Sequence, residues 1–163
     1  MGKLYVAYGS NLNKERMKHR CRNAKFMGTG VIENYELQFK GSLYGAHATI
    51  APKMGASVPV AIWSLRGTDE KYLDYYEGYR DDGYCYYDKE QIRVHTANGD
   101  CLVGMVYIMD REKDFGLPSH SYYEIVRKGY ADCGLDETVL EQALHASMEL
   151  AQARMSDEPQ QSW

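Results

Sequence analysis

The chain has 163 residues, 44% of them apolar and 26% charged, which is the balance of one folded domain with a single hydrophobic core. Its net charge of −4 comes without a basic block, an RNP-like run or zinc-finger spacing, which argues against nucleic acid as a partner. No apolar run approaches a bilayer span and no signal-peptide pattern opens the chain, so a cytoplasmic protein without membrane contact is expected.

Residues 3–8 (KLYVAY) read as a short apolar strand. Asn11 or Asn13 can cap a brief helix over about residues 12–20, with Leu12 and Met17 facing inward. Over 31–41, Val31, Glu33, Tyr35, Leu37 and Phe39 fall on alternate positions, the pattern of a half-buried strand. The runs HATIAPK and VPVAIWSLR predict two further strands, with Pro52 and Pro59 at edges or strand ends. Thr68 is a candidate N-cap for a helix that carries Leu73 and Tyr76 and stops at Gly78. Two strands follow, about 84–96 and 101–109, joined through the hairpin dipeptide Asn98-Gly99.

Beyond Pro118 the chain turns helical. Ser121-x-x-Glu124 has the form of a capping box, and Gly134 is placed to end that helix. Asp136 opens a last helix whose apolar face runs through Leu140, Ala143, Leu144, Ser147, Met148 and Ala151. Residues 1–154 form one domain on this reading, and 155–163 a polar, disordered tail. Strands first, one inserted helix and helices last give an α+β class.

Several chemistries are missing. His19, His47, His95, His120 and His145 are far apart, Cys21, Cys85, Cys101 and Cys133 are scattered, and no metal site is expected. The run Tyr8-Gly9-Ser10-Asn11-Leu12 is not a G-x-S-x-G elbow, and nucleotide-binding glycine motifs are absent. An enzyme built from this sequence works without metal, redox cofactor or activated nucleophile.

Two stretches remain. A strand ending at Tyr8 and turning through Gly9-Ser10-Asn11 exposes backbone N–H groups suited to a carboxylate or a developing oxyanion. The same residues also suit a plain turn with a helix cap. Glu77 sits at a predicted helix C-terminus amid Tyr75, Tyr76, Tyr79, Tyr84, Tyr86 and Tyr87. Burial and the helix dipole would both raise its pKa, as a carboxyl acting as base and then acid requires.

These residues resemble a family. Tyr5-x-Ala7-Tyr8-Gly9-Ser10-Asn11-Leu12 is similar to the opening Y-x-A-Y-G-S-N-L of the γ-glutamylcyclotransferases and their AIG2-like or BtrG-like relatives. Leu73-Asp74-x-x-Glu77-Gly78 resembles the segment with that family's catalytic glutamate. Tyr107-Ile108-Met109, then Pro118-Ser119-x-x-Tyr122 and Gly129, resemble its late strand and following helix.

The resemblance implies a small mixed β-barrel flanked by helices, and cyclisation of a γ-glutamyl amide to 5-oxoproline with release of the amine. It implies Glu77 as the acid/base, and Tyr5, Val6, Ala7, Tyr8, Gly9, Ser10, Asn11 and Leu12 as the substrate loop. Tyr86 and Tyr107 would complete the pocket, with no cofactor. The implied partner is a small γ-glutamyl compound whose leaving group is read by loops 41–57 and 79–88. The competing reading is a non-catalytic small-molecule-binding module that keeps the pocket.

Overall fold

The computed structural model describes residues 2–80 and 85–157. The expected polar loop at Asp81-Asp82, Tyr84 and residues 158–163 lie outside them. Five strands close into a barrel: β1 (Lys3–Ala7), β2 (Lys25–Lys40), β3 (His47–Leu65), β4 (Tyr87–Thr96) and β5 (Cys101–Met109). Their order around it is β1-β3-β2-β4-β5. All pairs are antiparallel except β1 with β5, which runs parallel through Tyr5 and Met105 and closes the barrel. Four helices flank it: α1 (Lys14–Arg20), α2 (Asp69–Glu77), α3 (His120–Cys133) and α4 (Glu137–Asp157). The architecture is the α+β mixed barrel that the sequence predicts.

The sheet departs from the sequence reading in two places. Strand β2 does not alternate evenly from Val31 to Phe39, because Asn34 adopts a left-handed conformation at φ 61°. Asparagine tolerates that region, and here its Oδ1 accepts the N–H of Gly55. The resulting bulge slips the pairing with β3, so that Ile32 faces the core before it and Leu37 and Phe39 after it. Val31, expected on the inward face, is only half-buried. The second departure is that HATIAPK and VPVAIWSLR belong to one strand, β3. Pro52 and Pro59 lie inside it rather than at its ends, where β2 is the only paired neighbour. A residue without an N–H is tolerated on such a one-sided stretch.

Helix ends follow local chemistry more closely. Asn13 caps α1 by accepting the N–H of Arg16, and Leu12 and Met17 are fully buried as expected. Gly78 and Gly134 end α2 and α3 in the left-handed conformation. The cap of α3 is Ser119, not Ser121: its Oγ accepts the N–H of Tyr122, while Glu124 reaches forward to Arg127. The expected face of α4 is seen, with Leu140, Ala143, Ser147 and Ala151 buried. Its helix takes in residues 155–157.

Candidate active site

Three elements meet at one end of the barrel. Strand β1 stops at Ala7, and a single 3-10 turn at Ser10–Leu12 leads into α1. The turn's own hydrogen bonds begin with Leu12 N–H to Gly9 and Asn13 N–H to Ser10. The N–H groups of Gly9, Ser10 and Asn11 take no part in them. A Cβ at residue 9 would lie 3.2 Å from that of Ala48 and 3.6 Å from the Tyr122 hydroxyl, so glycine keeps this corner open.

Asn11 is almost fully buried and links the loop to Glu77. Its Nδ2 donates to Tyr5 Oη at 2.9 Å and to Glu77 Oε1 at 3.1 Å. Its Oδ1 accepts from the Arg20 guanidinium at 3.1 Å, which fixes the amide's orientation. Glu77 is the last residue of α2 and its side chain is 15% exposed. Arg20 lies 3.8 Å from Oε1 and over the Tyr76 ring at 4.5 Å. Burial pushes the Glu77 carboxyl above its ordinary pKa, against the opposing pull of Arg20, Arg16 and the Asn11 amide. Oε2 has no partner among the described residues.

Tyrosines line the rest. Tyr8 donates to the carbonyl of Tyr107 at 2.6 Å, and Tyr107 donates to Asp74 Oδ1 at 2.6 Å. Asp74 is held in turn by Lys89. Tyr87 donates to the Ala48 carbonyl, and the Tyr122 hydroxyl accepts the Ala48 N–H. Burial raises the pKa of Tyr5, Tyr8, Tyr107 and Tyr122, so all stay protonated. Tyr5 and Tyr122 each accept one hydrogen bond and keep a hydroxyl hydrogen to give.

The inner hollow is lined by Tyr5, Tyr8, Gly9, Ser10, Asn11, Ala48, Glu77, Tyr87, Tyr107 and Tyr122. It adjoins an outer cleft of about 310 Å³ that shares Ser10, Glu77, Tyr87 and Tyr122 and adds Arg16, Arg20, His47, Tyr75, Tyr76, Gly78 and Tyr86. Seven of the residues expected from sequence therefore converge on the hollow. Tyr86 belongs to the outer cleft, where its hydroxyl meets His47 Nδ1 at 2.9 Å. Val6, Ala7 and Leu12 line neither space: all three are buried in the core behind the loop.

Sequence reasoning missed Ala48, Tyr87, Arg16, Arg20 and His47 as site residues. One signal was present for two of them, since Arg16 and Arg20 are four apart on the helix that follows the loop and so share a face. Among the described residues no three of His, Cys, Asp and Glu gather around a metal position.

The model of one protein family, "Gamma-glutamyl cyclotransferase, AIG2-like", matches residues 5–124, most of the chain and all of the site. The chain belongs to the AIG2-like γ-glutamyl cyclotransferase family. It is 29% identical to the human γ-glutamylcyclotransferase over 139 residues, covering 81% of this chain and 72% of that protein. It is 27% identical to the mouse γ-glutamylcyclotransferase over 162 residues, covering 95% and 84%. A solved γ-glutamyl cyclotransferase structure superposes with a TM-score of 0.75 at 25% identity, covering 99% of this chain and 91% of that one. This member of the family is an enzyme of the cyclotransferase type. No helix among its described residues is long and apolar enough to cross a membrane.

Proposed function

We propose that the enzyme cyclises a γ-glutamyl amide to 5-oxoproline and releases the amine, with Glu77 moving both protons. The observation that carries this reading is the setting of Glu77. It is a nearly buried carboxyl with a raised pKa, anchored through Oε1, with Oε2 directed to no protein partner. A γ-glutamyl group brings its own nucleophile, the α-amine, so ring closure is intramolecular and correct folding of the bound substrate supplies much of the rate. The amine nitrogen attacks the γ-carbonyl carbon while Glu77 takes a proton from it. The tetrahedral intermediate then collapses as the bond to the departing nitrogen breaks, and Glu77 returns the proton to that nitrogen. Two anionic centres need donors, the glutamyl carboxylate and the oxyanion. The N–H groups of Gly9, Ser10 and Asn11 and the phenols of Tyr5 and Tyr122 supply them.

Glu77→Gln tests the reading. The variant should fold by circular dichroism yet release 5-oxoproline from a panel of γ-glutamyl compounds about a hundred- to ten-thousand-fold more slowly. A folded variant with wild-type turnover would remove Glu77 from the mechanism.

A further inference from the structure

The reaction proposed above leaves one cation of the outer cleft without a task. Arg20 is occupied by Asn11, Glu77 and the Tyr76 ring. Arg16, one turn earlier on α1 and lining the same cleft, is not. Its guanidinium forms no ion pair and no hydrogen bond among the described residues, and its Nε is buried with no partner. Glu77, the one acid among the described lining residues, is already engaged by Asn11 and Arg20. His47, across the cleft, is kept neutral by burial and by Arg16 itself, so it adds no competing charge.

A guanidinium offers five donors in a planar fork that matches a carboxylate, and a half-desolvated one without an anion is an incomplete arrangement. Burial and the nearby Arg20 both act against its charge, which makes an incoming anion more welcome. The direction is given by the way the two spaces join. They share Ser10, Glu77, Tyr87 and Tyr122. A substrate with its glutamyl end in the inner hollow therefore passes Glu77 and carries its departing half into the outer cleft, toward Arg16.

We infer that Arg16 binds a carboxylate on the departing amine, a few bonds beyond the breaking C–N bond, and so selects γ-glutamyl compounds with acidic leaving groups over neutral γ-glutamylamines. The inference rests on the cyclisation proposed above.

A matched pair of substrates tests it: γ-glutamylalanine and γ-glutamylalaninamide, identical but for the terminal charge. The wild-type enzyme should favour the acid about ten- to a hundredfold in kcat/KM, expressed mainly in KM. Arg16→Met should lower kcat/KM for the acid by about that factor more than for the amide, and Arg16→Lys should retain part of the preference. Equal use of both substrates by the wild type overturns the inference. So does an equal loss on both substrates in Arg16→Met, which would place Arg16 on the glutamyl half. If neither compound nor any other γ-glutamyl substrate is cyclised, the reaction itself fails, and this inference with it. A measurement free of mutation adds to these: alanine should inhibit the wild type more strongly than alaninamide, and equal inhibition counts against Arg16.

Discussion

Glu77 is held between opposed influences, and the balance sets how stability and activity respond to pH. Burial raises its pKa above the ordinary 4.5, while Arg20, Arg16 and the Asn11 amide pull it down without cancelling the shift. The native state therefore holds this proton more tightly than the unfolded chain does. Its contribution to stability is fully present below the unfolded pKa and is lost as pH rises through the folded one. A glutamine at 77 does not titrate. The melting temperature of Glu77→Gln minus that of wild type should increase with pH across that window and then level off. A difference that shrinks with rising pH would mean the ionised carboxyl is favoured by its site. Such a trade of stability for reactivity is common where a fold keeps a desolvated charge for chemistry. The helix that carries Glu77 and its Gly78 stop were readable from the sequence, because both are local properties. The guanidinium of Arg20 was not, because its distance to Glu77 depends on how α1 and α2 are brought together across the barrel.

Among the elements, α3 has the closest hold on the substrate loop. Gly129 in its middle faces the 3-10 turn, and a Cβ there would stand 2.6 Å from Leu12 Cβ and 2.7 Å from the Asn13 nitrogen. Neither neighbour is the loose end of a flexible chain: Leu12 is fully buried and Asn13 is capping α1. Gly129→Ala should reduce stability by about 1–3 kcal/mol in urea denaturation. It should also lower kcat in the protein that remains folded, because Asn11 precedes the displaced residues. A variant with the wild-type midpoint and rate would show that the contact yields easily. Element boundaries divide along the same line of local against distant causes. The hairpin at Asn98-Gly99 and the glycine caps came from short-range backbone preferences, with Gly99 at φ 88°. The bulge at Asn34 and the fusion of two runs into β3 come from pairing between β2 and β3, which no window of neighbouring residues contains. Ser119 displaced Ser121 as a cap because two serines stood within reach of one helix end.

At the scale of the molecule, the barrel closes along the parallel contact of β1 and β5, and the hollow lies at one end of that seam. Tyr5 from β1 and Tyr107 from β5 pack edge to face across it with centroids 5.8 Å apart. The close approach of the strands depends on Gly104, where a Cβ would fall 2.7 Å from Val6 Cγ2 inside the core. Gly104→Val should therefore lower stability by about 1–3 kcal/mol and reduce activity with it, since the wedge parts the walls that bear Tyr5 and Tyr107. Unchanged stability in that variant would show that the seam is slack. The paired residues Tyr5 and Met105 are a hundred positions apart in the chain. On a ribosome, β1, the loop and α2 with Glu77 all emerge before the strand that completes their pocket has been made. Joining such distant segments is slow, because the loop entropy is lost before any contact rewards it. The pocket is then among the last parts of the protein to come into being. A nascent or partly folded chain holds every residue of the loop and the acid, yet has no place for a substrate until the barrel shuts.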